Sequence, residues 1–230
     1  MRLDRLLSNL PNLNRQDVRQ LIANGRVQVD GLCCRESRCD ITVFNRVELD
    51  NQVVQAGKPA RYFMLNKPIG VVSATEHPAH QTVIDLLNEP DKHELHLAGR
   101  LDLNTSGLLL ITNDGQWSRR VTQPTSKQAK VYWVSTEQPI EAHYADTFAA
   151  GLYFKFEDLT TLPARLEILA TYNARLWLHE GRYHQVKRMF GHFQNRVIGL
   201  HRERVGAIEL DPQLAPGQYR ALTPDEIASV

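Results

Sequence analysis

Apolar positions along the chain change period several times, and each change predicts an element. Leu3, Leu6, Leu7 and Leu10 recur at helical spacing until Pro11 stops them. Asn14 is followed three residues later by Asp17, a capping pair, and Val18, Leu21 and Ile22 form a second apolar stripe. Gly25 is placed to end that helix. The stretch "RVQVDG" then alternates apolar and polar, with Asp30-Gly31 as a hairpin turn.

The pattern breaks at "VVQAGKPARYF", so residues 1–56 read as one domain, 57–61 as a linker and 62–230 as a second domain. That second domain reads mostly as strands: "RYFMLNKP", "GVVSAT", "LHLAGRLD", "GLLLITND", "KVYWVST", "ARLEILAT" and "ARLWLHEG". Three segments read as helices. "TVIDLLNE" carries a Thr82–Asp85 capping pair. "YHQVKRMFGHF" has Val186, Met189, Phe190 and Phe193 on one side. "TPDEIASV" has Thr223 as cap and Pro224 at the first helical position. Many strands with few helices between them predict a mixed, mainly antiparallel sheet in an α+β fold.

Composition changes this picture little. With 230 residues, 42% hydrophobic and 23% charged, the chain can bury a core without staples. It has no apolar run long enough to span a bilayer, and Asp4 interrupts the start before any signal-like segment forms, so a cytoplasmic protein is expected. Three close cysteines, Cys33, Cys34 and Cys39, read as reduced thiols. The histidine pairs His77/His80 and His93/His96 lack accompanying Cys or carboxylate ligands, so no metal is expected. Neither a phosphate-binding loop nor a dinucleotide fingerprint is present, and no cofactor is expected.

Charge is more informative locally than in total. The net charge is only +1. Residues 116–135 nevertheless hold Arg119, Arg120, Lys127 and Lys130 without an acid, and residues 181–206 hold six cations against Glu203 alone. The last 24 residues are acidic. Such segregation suits a face that binds a polyanion.

One acid stands out. In "AGRLDLNTSGLLLITNDG", residues 98–115, Asp102 lies between a Gly-Arg pair and a Thr-Ser-Gly turn, just before a continuous apolar run. A lone aspartate there would ordinarily cap the turn. Arg100 and Asp102, two apart in an extended segment, point the same way, and the apolar run predicts a buried strand beneath them.

The first domain, "LDRLLSN…NRQDVRQLIANGRVQVDG", resembles an S4-type RNA-binding domain, which implies Arg15, Arg19 and Arg26 as RNA-facing cations. In the second domain "LNKPIG", "AGRLDLNTSGLLLITNDG", "KVY" and "EGRYHQVKRMF" occur in the order found in pseudouridine synthases of the RsuA family. The "RYHQVKRMF" wording is more similar to the small-subunit branch than to the large-subunit one. The resemblance implies an isomerase that turns a uridine of 16S ribosomal RNA into pseudouridine without a cofactor; whether naked RNA or an assembly intermediate is the substrate stays open, and a monomer is the default expectation. It implies Asp102 as the essential carboxylate, paired with Lys187 or, as second choice, Arg182, and Tyr132 stacking on the flipped uracil. Arg100 would enter the vacated base stack, Leu200 would close the apolar side of the pocket, and Arg182, His184 and Arg188 would face RNA.

The chemistry fits these residue types. The aspartate must be ionised; burial opposes that and a neighbouring cation restores it. The target base must be extruded, at roughly a few kcal/mol. The role of Lys67, phosphate contact or turn shaping, stays open. Two other readings remain: a non-catalytic ribosome assembly factor with the same RNA-binding front, and a family member acting on 23S RNA.

Overall fold

The computed structural model describes residues 1–123 and 128–230. Lys127, one of the cations of the first basic strip, lies outside the described residues. The chain forms two compact units, Met1–Ala60 and Arg61–Val230.

The first unit contains α1 (Leu3–Ser8), α2 (Arg15–Ala23), β1 (Val27–Val29), β2 (Leu32–Cys33), β3 (Val47–Leu49) and β4 (Gln52–Gln55). Local chemistry sets its boundaries. The Asn14 side chain accepts from the Gln16 and Asp17 amides while the Asp17 carboxylate accepts from the Asn14 amide, a reciprocal cap. Asp30 and Gly31 both have positive φ, as a two-residue hairpin between β1 and β2 requires. Leu3, Leu7, Val18, Ile22, Val27, Ile41 and Val47 close a small core between the helices and the four-stranded sheet β2-β1-β3-β4.

The second unit is built on a nine-stranded sheet. Its strands are β5 (Tyr62–Lys67), β6 (His96–Leu97), β7 (Ser106–Thr112), β8 (Lys130–Thr136), β11 (Arg165–Ala170), β12 (Asn173–Leu178), β13 (Val197–Val205), β14 (Ile208–Glu209) and β15 (Tyr219–Ala221). A separate hairpin pairs β9 (Tyr153–Phe154) with β10 (Leu159–Thr160). The helices are α3 (Gly115–Thr122), α4 (His143–Ala150), α5 (Gln185–Gly191) and α6 (Pro224–Ala228). The main order is β11-β12-β8-β13-β7-β5-β15, antiparallel except where β13 runs parallel to β7. The fold is therefore α+β with a mixed, mainly antiparallel sheet.

One junction in this sheet shapes the site. β5 covers one edge of β7 from Tyr62↔Thr112 to Lys67↔Gly107. The other edge is shared, with β13 paired at His201↔Ser106 and Arg202↔Gly107 and β6 at Leu97↔Ile111. The chain between β6 and β7, residues 98–105, must therefore loop out, and this loop carries Asp102. Gly107 makes the close approach possible. Its φ is +104°, and a Cβ there would sit 2.3 Å from the Arg202 carbonyl oxygen. Gly107→Ala is accordingly expected to cost about 3 kcal/mol or more, read as a fall in the urea midpoint at unchanged m-value.

The sheet has different apolar partners on its two faces. Leu65, Leu109, Ile111, Val134 and Leu176 pack with Phe148 of α4 and Met189 and Phe190 of α5. Met64, Leu108 and Leu110 pack with Trp117 and Val121 of α3. The apolar run of β7 thus feeds both cores, because alternate side chains go to opposite faces.

Several sequence expectations need correction. Residues 82–89 form turns instead of a helix. The Thr82–Asp85 bonds do form, at 2.8 and 3.2 Å, but Val83 donates to the Val72 carbonyl and Val72 to that of Gln81. Those tertiary bonds outweigh a helical tendency in so short a segment. "GVVSAT" contributes only an isolated Val72↔Thr82 bridge. "LHLAGRLD" is strand only over His96–Leu97, since Gly99, at φ +97°, turns the chain out of the ladder. Two helices were unforeseen. α3 is capped by Asp114, whose carboxylate accepts from the Gln116 and Trp117 amides. α4 has no side-chain cap to announce it.

Candidate active site

The loop that carries Asp102 is held by its own carbonyl groups. Arg202 Nη1 donates to the Arg100 oxygen (3.4 Å), and Ser73 Oγ donates to the Leu101 oxygen at 2.7 Å and accepts from the Leu101 amide. Lys67 Nζ donates to the main-chain oxygens of Asp102 (3.2 Å), Thr105 (2.9 Å) and Pro68 (2.9 Å), with Leu103 at 3.5 Å. The Gly70 amide reaches the Leu103 oxygen at 2.9 Å. Lys67 is fully buried. Burial pushes its ammonium down to about 8, and the Asp102 charge works against that fall. Its role is thereby resolved in favour of loop shaping: an amine enclosed by four carbonyls has no face left for a phosphate.

Because the Thr105 amide donates to the Asp102 main-chain oxygen, the Asp102 side chain is free of capping duty. It is turned toward the start of α5. Lys187 Nζ lies 3.2 Å from Oδ2 and His184 Nε2 3.5 Å from Oδ1. His184 and Lys187 are three apart, a spacing that puts helical side chains on one face. His184 reaches the carboxylate from a left-handed conformation, φ +49°, at the N-cap of α5. A non-glycine residue held there stores backbone strain of order 1–3 kcal/mol. Its ring stacks on Tyr183, with centroids 3.9 Å apart. The Asp102 side chain keeps 30% of its exposure, so it is shielded yet open to a ligand.

A cavity of about 750 Å³ opens over this carboxylate. Arg100, Asp102, Tyr132, Arg182, His184, Lys187, Leu200 and Arg202 all line it. Tyr132 and Leu200 are nearly buried and belong to the main apolar core. An adjoining groove shares Lys187 and Leu200 and is edged by exposed Ile69 and Ile198.

The remaining sequence candidates are placed differently. Arg182 pairs with buried Glu180 at 2.8 Å, and Glu180 is itself fixed by Gln185 and the Leu162 amide. Arg188 makes a two-armed pair with Glu157 and lies over the Phe154 ring. In the first unit Arg26 is held by Asp50, whereas Arg15 and Arg19 are exposed along α2. Arg26 and Arg188 are thus partly neutralised by acids that carry no sequence signal, because Asp50 and Glu157 are 24 and 31 residues away from their partners, whereas Arg182 is neutralised by Glu180, two residues before it. Sequence reasoning also missed Ser73, Glu180 and Arg202 as parts of the site. Of these only Glu180, adjacent to the basic motif, stood where a search would have looked.

Most of this site, Asp102, Tyr132, His184 and Lys187 included, lies within residues 61–192, which match the model of the RNA pseudouridylate synthase family; Leu200 and Arg202 follow that stretch, and residues 1–38 match the S4 domain. The chain belongs to the RNA pseudouridylate synthase family. Among its relatives in that family, the ribosomal small subunit pseudouridine synthase A of Pseudomonas aeruginosa is 61% identical over 230 residues, covering 100% of both chains. The protein of the same name from Yersinia pestis is 47% identical, covering 100% of this chain and 98% of that one. A solved structure described as a pseudouridylate synthase superposes with a TM-score of 0.73 at 38% identity, covering 100% of this chain and 99% of that one. The similarity thus spans both units of this pseudouridylate synthase, and the S4 match accounts for the reciprocal cap and hairpin of the first.

Proposed function

We propose that this protein isomerises a uridine of 16S ribosomal RNA to pseudouridine, with Asp102 as the essential group. Full-length similarity to small-subunit synthases supports the substrate. The observation that carries the chemistry is the Asp102–Lys187 pair at 3.2 Å in a cavity large enough for a nucleotide. Lys187 sets its ammonium against one carboxylate oxygen, with the His184 ring beside the other. An ionised Asp102 can then act on the ribose, either by attacking C1′ or by taking a ribose proton.

The other parts follow from that. Tyr132 stacks on the extruded base, a contact worth about 1–3 kcal/mol. Leu200 excludes water beside it, and Arg100 at the rim replaces the base in the RNA stack. Arg15 and Arg19 supply the electrostatic grip of the first unit, with Arg26 held by Asp50; Arg182, His184 and Arg188 border the RNA strand near the cavity. The substrate is 16S RNA, naked or in an assembly intermediate, and the protein works as a monomer.

Tritium release from RNA labelled at uridine C5, with pseudouridine mapping in ribosomal RNA from cells lacking the protein, tests this reading. Release by the purified protein and loss of one small-subunit pseudouridine in the cells are expected. RNA binding without release would make it an assembly factor, and a lost large-subunit site would move the substrate to 23S RNA. Deleting residues 1–56 is expected to leave a folded catalytic unit whose RNA affinity is lower and less salt-dependent. Circular dichroism and filter binding at two salt concentrations check this.

A further inference from the structure

Five lysine and arginine side chains line the cavity around Asp102, and they are not equivalent. Lys187 is spent on Asp102, Arg182 on Glu180, and Arg100 is exposed at the rim. Arg202 and Lys130 have no acidic partner among the described residues. Arg202 is 3% exposed. Its Nε donates to the Leu108 oxygen at 2.8 Å and its Nη1 to that of Arg100, but its buried Nη2 has no hydrogen-bond partner among the described residues. Lys130 lies along Gly181, and among the described residues its Nζ reaches the Gln128 oxygen, at 3.4 Å. Burial and the nearby Arg202 charge both push the Lys130 ammonium down. A buried guanidinium with an unmet donor beside a second, half-buried cation is costly in the empty protein. An arrangement of this kind is suited to a negative charge that arrives with the substrate.

Depth distinguishes two sources of that charge. A phosphodiester stays with the strand at the surface. An extruded base enters the cavity, whose lining includes Arg202, in register with Tyr132 across the β8–β13 pair. We propose that Arg202, backed by Lys130, stabilises the negative charge of the uracil ring while the ring is detached from the ribose. This rests on the isomerisation proposed above. When the N1–C1′ bond breaks, its electron pair leaves with the ring and spreads over N1, O2 and O4. The charge persists until ring electrons form the C5–C1′ bond; C5 then loses its proton and N1 gains one, so the ring starts and ends neutral. A donor fixed beside an oxygen of this anion acts on the bond-breaking step more than on binding.

Single-turnover rates at saturating enzyme test this with small-subunit RNA carrying either uridine or 5-fluorouridine at the target. Fluorine makes the departing ring a weaker base that needs less help, and consumption of the parent nucleoside is measured for both. With uridine, Arg202→Met is expected to slow the reaction about 100-fold, the usual effect of losing one such donor. The RNA Kd should stay within about twofold, and the slowing should shrink to about tenfold or less with 5-fluorouridine. Lys130→Met, on which no buried carbonyl depends, should show a smaller loss of the same kind and serves if Arg202→Met does not fold. Equal slowing of both substrates would reveal a merely structural role, a loss confined to Kd would indicate a phosphate contact, and undiminished rates would remove any role; each overturns the inference. A wild-type protein that leaves uridine unchanged would overturn the underlying reaction as well, which separates the two failures.

Discussion

Asp102→Asn is expected to lower the rate of pseudouridine formation by about 10⁴-fold or more, as losing a group that acts on the reacting atoms does in other enzymes. Asparagine has nearly the same shape. It leaves the Thr105 amide bonded to the main-chain oxygen of residue 102 and the Lys67 anchor in place. What it removes is the negative charge opposite Lys187 and His184. Because this pair keeps about a third of its exposure, the stability cost should be small, about 1 kcal/mol or less. RNA affinity should hold or rise, since an anion has been taken from a cavity that receives a polyanion. Single-turnover rates beside a binding isotherm give both quantities. A variant with wild-type turnover would place the chemistry elsewhere.

The second large effect is expected at Lys67, which touches no substrate. Lys67→Met leaves the main-chain oxygens of Pro68, Asp102 and Thr105 without their ammonium donor in a buried setting. Each orphaned acceptor costs about 1–3 kcal/mol, partly recovered where a second donor exists, as the Thr105 amide provides for Asp102. A total near 3 kcal/mol would lower Tm by about 6–12 °C for a unit of this size. Activity should fall below detection, since the loop would no longer fix the carboxylate.

The same residue predicts opposite pH trends for activity and stability. Lys67 is pulled from 10.5 to about 8 by burial. Above about pH 8 it loses a proton and one of its donors, so the rate should decline there. Between about 8 and 10.5 the unfolded chain binds more protons at this position, so Lys67's own contribution to stability rises with pH. Rates and urea midpoints measured across pH 7 to 10 on the wild type and Lys67→Met separate the two trends. A flat wild-type rate would remove Lys67 from control of the loop.

Much of the fold was readable wherever a segment's neighbours in sequence are also its partners in space. The Asn14–Asp17 cap, the Asp30-Gly31 hairpin, the strand over Lys130–Thr136 and the Thr223–Glu226 cap are all local devices, and each formed. Local reading failed where a distant partner decided the outcome. Residues 82–89 carry a good helix start, yet Val83 is tied to Val72 and the chain beyond it closes into single turns. α3 was hidden because Asp114-Gly115 reads equally well as the end of a strand.

The site divides in the same way. The "GRLD…TSG" and "RYHQVKRMF" motifs pointed to Asp102 and the basic helix through their resemblance to a known family. Nothing in that order could show that Lys67 encloses its ammonium in loop carbonyls 35 to 38 residues away, or that Glu157 takes the charge of Arg188. The sequence by itself determined the two-domain α+β plan, because helix periodicity, turn chemistry and caps act over a few residues, while Asp102 was singled out only through the family resemblance. Only the tertiary structure decided which cations are cancelled, that His184 joins Lys187 at Asp102, and that one guanidinium nitrogen of Arg202, in register with Tyr132, has no partner among the described residues. Charge is felt through space, and its partners are chosen by how strands β7, β8 and β13 come together.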